Sequence, residues 1–352
     1  MRPPECVLVR LGEIALKSPQ VQRRMFGILL DNMKAALAGT EYVMETNPNR
    51  IFIYTKQIDE AIARTKKVFG VTSVSPCWTC FSALNDIRML ASDIASDVLK
   101  ISEKDSFAIR ARRVGRHRFS SKEVAEEAGA AVKRVTGANV ELSNPDKQIF
   151  IETRSRKTYA FVEKIPAAGG MPVGVSGGII SVIENPSDAA AAWLMMKRGC
   201  EAVVLVSEEN IRLAEKLKEW DAQMSVLTYE KEILENFLAD IPDAKKPAAK
   251  KMLLAKLASL VAEKEGALGI SSGIREAGTD IIRNMNESSG VPVYLPLMLY
   301  PEKELKAIAK LIGIKIGRAE EKYDYEKSGA KDMTEAAERM LESVKNKGGE
   351  EI

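Results

Sequence analysis

Residues 166–172, Pro-Ala-Ala-Gly-Gly-Met-Pro, interrupt every hydrophobic period in the chain. The patterns on the two sides of this stretch belong to different sheet architectures. Before it, strands and helices come in mixed order with short strand pairs. After it, apolar runs of strand length alternate regularly with helical periods. The chain is therefore expected to fold as more than one unit. Its 352 residues agree, at roughly 100–200 residues per domain.

Residues 5–11 read as a strand ended by Gly12. A basic amphipathic helix follows over 21–37, with Met25, Ile28, Leu29, Met33 and Leu37 at helical spacing. A strand pair over 42–55 turns at Asn47-Pro48-Asn49, and a helix over 58–69 and a strand over 71–75 complete a β-α-β-β-α-β order. That order predicts a ferredoxin-like domain over 1–75. A second α+β unit, 76–166, is expected to hold helices over 84–99 and 121–135. Its strands are expected over 106–111, 140–142, 148–153 and 157–164, and Ser120 or Ser121 with Glu123 is read as a helix cap. Residues 172–318 read as a doubly wound α/β domain with a parallel sheet, its first strand at 179–183 and first helix at 189–198. Residues 319–352 read as a charged tail, helical or frayed.

Net charge is only +3, so global charge does not argue for nucleic acid. No apolar run approaches the roughly 20 residues that cross a bilayer, and Met1-Arg2-Pro3-Pro4-Glu5 lacks a signal-peptide pattern; the expectation is a cytoplasmic protein with no membrane partner. In that compartment the four cysteines are expected to be reduced thiols, not a disulfide framework. Cys77-Trp78-Thr79-Cys80 is a single C-x-x-C without the further ligands a tetrahedral zinc site needs, so no metal is expected; a disulfide or chance pairing near the domain junction is the reading kept for it.

Charge distribution says more. Residues 110–118, Arg-Ala-Arg-Arg-Val-Gly-Arg-His-Arg, place five arginines and the chain's only histidine within nine positions. Arg110 and Arg112 share a strand face, Arg113 starts a turn at Gly115, and Arg116, His117 and Arg118 line a loop before a helix. A guanidinium fork matches phosphate geometry, so the cluster suits a nucleic-acid backbone. Arg154, Arg156, Lys157 and Lys164 extend the basic character. The competing reading is a solvated loop with salt bridges to Glu123, Glu126 and Glu127.

Several segments resemble one family in order along the chain. These are Leu8-Val-Arg-Leu-Gly-Glu-Ile-Ala-Leu-Lys17, the stretch from Ala108 to Val140, Asn144-Pro-Asp146 and Gly169-Gly-Met-Pro-Val-Gly174. Ala191-Ala-Trp-Leu-Met-Met-Lys-Arg-Gly199, Ala262–Leu268 and Val291-Pro-Val-Tyr-Leu-Pro-Leu297 continue the series. Together they resemble the tRNA 4-thiouridine synthetase family (tRNA sulfurtransferases, linked to thiamine biosynthesis). The resemblance implies a ferredoxin-like domain, a THUMP RNA-binding domain and an ATP-pyrophosphatase-like (adenine nucleotide hydrolase-like) α/β domain. It implies tRNA as partner, gripped at its 3′ acceptor end by the THUMP domain, with a sulfur carrier or another modification enzyme as a further partner. The RNA-binding residues it favours are Arg110, Arg112, Arg113, Arg116, His117, Arg118, Arg154 and Lys157.

The family's phosphate loop, Ser-Gly-Gly-x-Asp-Ser between a strand and a helix, works through glycine amides and a helix N-terminus. Ser176-Gly177-Gly178 has that composition but precedes the strand at 179–183, so it is read as a decoy. In register with Trp193–Gly199 the loop is Glu184-Asn-Pro-Ser-Asp188. Glu184 repels phosphate, Pro186 lacks an amide donor, and Ser187 and Asp188 suit helix capping. The second family loop reads Ser271-Ser-Gly-Ile-Arg-Glu276, without the expected glutamine. Arg275 either meets a phosphate or pairs with Glu276 or Asp280. Asp188, Ser272 and Gly273 are the candidate nucleotide contacts. The expectation is a tRNA-binding member with a degenerate ATP loop; the alternative is an active sulfurtransferase using ATP and magnesium, with Ser176–Gly178 as an unorthodox loop.

Overall fold

In a computed structural model the described residues are 2–47, 50–275, 279–317 and 330–346. The chain divides into two compact units. The first comprises residues 1–11, 37–66 and 71–168; the second comprises 12–36, 67–70 and 169–352. None of the helices among the described residues is long and apolar enough to cross a membrane.

Up to residue 166 the elements are β1 (Cys6–Leu11), α1 (Pro19–Ala36), β2 (Val43–Asn47), β3 (Arg50–Tyr54), α2 (Ile58–Thr65) and β4 (Val71–Phe81). Then come α3 (Leu84–Asp93), β5 (Ser106–Val114), α4 (Ser121–Thr136), β6 (Asn139–Val140), β7 (Lys147–Arg154), β8 (Lys157–Phe161) and β9 (Ile165–Pro166). The strands form one nine-stranded sheet, ordered β2-β3-β1-β4-β8-β7-β5-β6, with β9 on β4. One continuous strand crosses the boundary expected at 75/76. β4 pairs with β1 through Cys77 and with β8 from Trp78 on. Pro76, which has no amide donor, therefore stands beside the change of partner, where a missing ladder bond costs least.

One face of this sheet is buried under α3 and α4 by Phe107, Ile109, Ile149, Ile151, Val124 and Val132. α4 forms where the sequence placed it. Ser120 Oγ accepts from the Glu123 amide at 3.1 Å while Glu123 Oε2 accepts from the Ser120 amide at 2.7 Å, and Gly137 closes the helix with φ 72°. β2 and β3 form the expected antiparallel pair; of the turn between them, Pro48 and Asn49 lie outside the described residues.

The second unit continues with β10 (Gly178–Ile183), α5 (Pro186–Lys197), β11 (Glu201–Ser207), α6 (Ile211–Lys218), β12 (Val226–Tyr229), α7 (Lys231–Ala239) and α8 (Lys246–Glu265). It ends with β13 (Ile270–Ser271), α9 (Thr279–Ser289), β14 (Val293–Tyr294), α10 (Glu302–Ile312), α11 (Ala330–Glu342) and β15 (Lys345–Asn346). The sheet order is β14-β13-β10-β11-β12-β15, parallel except for the antiparallel edge strand β15. This is the doubly wound sheet expected from the alternation. Chain order reverses between β10 and β13, and the crevice beyond their carboxyl ends is where such sheets take ligands.

Two features of this unit depart from expectation. α1 groups with it, Asn32 donating to the Val173 carbonyl at 3.0 Å, as does Phe69, which packs against Trp193 and Trp220. The segment expected to be a charged tail from 319 on is in part structural. Met333, Ala337, Met340 and Val344 are buried in one core with Leu253, Leu254 and Leu257 of α8, and β15 extends the sheet. The apolar stripe of α11 explains this: Glu335, Glu338, Arg339 and Glu342 lie exposed on the other face. Residues 318–329 and 347–352 lie outside the described residues.

Candidate nucleic-acid interface

The open face of the nine-stranded sheet carries the basic residues. Register sets the rows: Arg110 pairs with Phe150 and Phe150 with Phe161, while Arg112 pairs with Glu152 and Glu152 with Tyr159. On β1 and β3, Arg10 pairs with Arg50. These rows enclose a cleft of about 720 Å³. Among the described lining residues the cations are Arg10, Arg50, Arg110, Arg112, Lys122 and Lys164, against a single carboxylate, Glu152.

Aromatic rings organise the floor. Phe150 and Phe161 stack with centroids 5.1 Å apart and planes 5° from parallel. The Arg10 guanidinium lies 4.5 Å over Phe161 and Lys164 Nζ 4.2 Å over Phe150. Arg10 Nη1 donates to Ser75 Oγ at 2.9 Å. Burial lowers the pKa of Arg10, Arg50 and Lys164 from their ordinary values. Six cations against one carboxylate among the described lining residues, with Arg10, Arg50 and Lys164 partly desolvated, suit the cleft to an anion.

The arginines named from sequence separate into two groups. Arg112, Arg113, Arg116 and Arg118 are exposed, with no hydrogen bond or ion pair among the described residues. The glutamates of the competing reading have other partners: Glu123 caps α4, Glu126 faces Lys122 at 3.7 Å and Glu127 takes Arg88 at 2.6 Å. Arg110 is half committed, donating to Gln148 Oε1 at 3.1 Å and the Leu142 carbonyl at 2.6 Å. His117 shapes the loop, with Nε2 3.1 Å from the Val114 carbonyl and its ring stacked on Phe119.

Arg154 and Lys157 are placed otherwise than expected. Arg154 is 7% exposed, and its Nε donates to Glu152 at 2.5 Å, with Arg50 Nε 3.4 Å from the same oxygen. Lys157 Nζ is held by Glu45 and the Tyr54 hydroxyl, both at 3.1 Å. Sequence reasoning missed Arg10, Arg50, Phe150 and Phe161. Strand parity was the available signal, since Phe150 and Glu152 alternate in step with Arg110 and Arg112.

Of the two readings kept for the C-x-x-C, the disulfide does not hold and chance pairing remains. Cys77 and Cys80 lie three residues apart on one strand, about 10 Å along it, and pack into different cores. Disulfides need Cα atoms within about 7 Å, so this pair cannot close one. All four cysteines are free thiols. Burial pushes Cys77 and Cys80 up to about 12. Among the described residues no group of His, Cys, Asp or Glu could hold a metal ion.

In the second unit, the loops after β10 and β13 meet at the topological switch. Asn185 Oδ1 accepts from the Ser187 and Asp188 amides at 2.8 and 3.2 Å, capping α5. Asp188, 2% exposed, accepts from the Gly273 amide at 2.8 Å and the Glu184 amide at 3.2 Å, and Lys251 Nζ is 3.6 Å away. Glu184 takes the Tyr229 hydroxyl and Lys250 Nζ. Burial beside Glu184 raises the Tyr229 pKa, so that hydroxyl stays a donor. A Cβ on Gly273 would lie 2.3 Å from the Asp188 amide nitrogen and 2.4 Å from the Ser187 carbonyl carbon, so backbone fills the space in front of α5. The cavity left here is about 20 Å³, enough for one water. Ser272 donates its amide to the Tyr294 carbonyl at 3.0 Å. Arg275 donates to the Gly317 carbonyl at 2.9 Å; Glu276 and the Asp280 side chain lie outside the described residues. Ser176–Gly178 stand at the opposite end of β10, with Ser176 Oγ donating to the Arg198 carbonyl.

Comparison with known proteins gives three adjoining matches: the ThiI ferredoxin-like domain over residues 6–75, the THUMP domain over 81–163, and thiamine biosynthesis protein (ThiI) over 174–337. The chain is 34% identical to a probable tRNA sulfurtransferase of Methanothermobacter thermautotrophicus, over 88% of this chain and 85% of that one. It is 30% identical to another from Methanobrevibacter smithii, over 88% and 86%. Among solved structures it resembles PH1313 from Pyrococcus horikoshii, with TM-score 0.73 and 26% identity over 88% of this chain and 100% of that one. It shares its fold with a 4-thiouridine synthetase solved with RNA and ATP, with TM-score 0.74 and 19% identity over 88% and 85%.

Proposed function

The chain belongs to the tRNA sulfurtransferase (ThiI) family, and on that premise we propose that it binds tRNA through the open face of its N-terminal sheet and serves tRNA modification without using ATP itself. The cleft carries the binding half of this reading. Arg112, Arg113, Arg116 and Arg118 meet backbone phosphates with guanidiniums that have no partner among the described residues. Arg110 and His117 shape the strand end and loop that present them. Phosphates of an acceptor end enter the cleft and meet Arg10 and Lys164, which are seated over the Phe150–Phe161 floor. Glu152, held by Arg50 and Arg154, keeps those two cations in place. Expected partners are tRNA and a separate protein, a sulfur carrier or modification enzyme, that performs the activation.

The nucleotide half rests on one observation: the Asn185 carboxamide and the Gly273 backbone occupy the helix terminus where a phosphate would lie. A triphosphate needs open amide donors, free cations and room. Here the amides are capped, the lysines face carboxylates, and about 20 Å³ remains. These residues do not fit a triphosphate. Asp188, Ser272 and Gly273 thus meet one another instead of a nucleotide.

A second reading, an active sulfurtransferase using ATP and magnesium, is favoured by the names of the relatives. Two measurements separate the readings. Filter binding across a salt series is expected to show tRNA binding with a steep negative slope, and its absence sinks the binding claim. Calorimetry with ATP and magnesium is expected to show no saturable heat. Clear binding restores the enzyme reading, and its loss in Gly177→Pro would identify Ser176–Gly178 as the loop.

A further inference from the structure

We infer that the closed pocket of the α/β unit is self-occupied, the carboxylates of Glu184 and Asp188 standing where a bound anion would otherwise stand. This rests on the reading that the chain does not use ATP, and it adds a latent anion site beneath that reading. Four donors at the crevice are answered from within the chain. The Gly273 amide meets Asp188 Oδ1, Lys251 faces Asp188 Oδ2, and Lys250 and the Tyr229 hydroxyl meet Glu184. Two cations balance two carboxylates, and all lie at the carboxyl ends of β10, β12 and β13, in the first turn of α5 or on α8.

Asp188 also holds the Gly273 and Glu184 amides, so one carboxylate serves backbone and lysine together. Asp188 and Glu184 side chains are 2% and 8% exposed, so their charges are matched by these partners and not by water. A carboxylate on a lysine and an amide uses the same contacts a phosphate oxygen uses. Removing both carboxylates and their volume therefore leaves two lysines, a hydroxyl and an amide facing an opened space.

The test uses the full chain and inorganic phosphate and pyrophosphate as probes. Glu184→Gly with Asp188→Ser is expected to gain saturable pyrophosphate binding at least tenfold tighter than the wild type, and adding Lys251→Met is expected to abolish the gain. A folded double variant that binds neither probe overturns the inference, while the wild type's failure to bind ATP would still stand. Pyrophosphate or ATP binding by the wild type overturns both. Should the double variant not fold, a cycle of Lys251→Met and Asp188→Asn decides. Coupling of about tenfold in the unfolding equilibrium supports the internal pairing, and additive effects overturn it.

Discussion

Replacing Arg112 and Arg116 with alanine isolates the electrostatic share of the proposed RNA grip. Both side chains are exposed and unpaired among the described residues, so their loss should leave the melting transition within the range of ordinary surface substitutions, about 0.5 kcal/mol. Each is assigned one phosphate contact. For single-stranded RNA each contact adds about 0.7 to the magnitude of the slope of log K against log salt. Extrapolated from a 1 M reference, one lost contact then weakens binding about fivefold at 0.1 M salt and about eightfold at 0.05 M. The double variant should lose about 25-fold at 0.1 M, with the slope falling by about 1.4. Filter binding of tRNA at four or more salt concentrations reads affinity and slope together. An unchanged slope in the double variant would refute the phosphate assignment. An affinity loss accompanied by a lowered melting temperature would place the effect in folding.

Glu152→Ala removes the carboxylate that Arg50 and Arg154 share in the cleft floor, all three at 12% side-chain exposure or less; thermal or chemical unfolding should show a loss of about 3–5 kcal/mol. A loss under about 1 kcal/mol would mean that water replaces the pair. Gly273→Ala puts a methyl 2.3 Å from the Asp188 amide nitrogen, so the α/β unit should unfold at lower denaturant while the N-terminal sheet keeps binding tRNA. Unchanged stability would show that the two loops do not meet. Because burial holds Cys77 at about 12, only about one thiol in 10⁴ is ionised at pH 8, and reactivity rises only as pH approaches that value. Native protein should resist alkylation at Cys77 at pH 8, and denatured protein should label at all four cysteines; rapid native labelling of Cys77 would contradict its burial.

Periodic elements were legible where local chemistry and tertiary packing agree. The capping box at Ser120 and Glu123, the alternating β-α units after residue 172 and the place of Ser176–Gly178 at the start of β10 follow from nearest-neighbour rules. Elements whose stability is tertiary were not legible. Pro76 reads as a breaker, yet β4 runs through it because the strand changes partners there. α11 looks like a solvated tail until its stripe of Met333, Ala337 and Met340 meets α8. The cleft was half legible. Arg110 to Arg118 stand out as a run, whereas Arg10, Arg50, Phe150 and Phe161 come together only through register across strands distant in sequence. Arg154 was misplaced for the same reason: a local run of arginines hides which of them turns inward to a carboxylate.

Separation of RNA binding from nucleotide use is the central claim, and one experiment meets it directly. tRNA is titrated onto the full chain over a salt series, with and without saturating ATP and magnesium. The predicted result is a steep negative salt slope and superimposable curves, because a ligand that does not bind cannot shift a linked equilibrium. A curve without a salt slope, or one displaced by ATP, would contradict it.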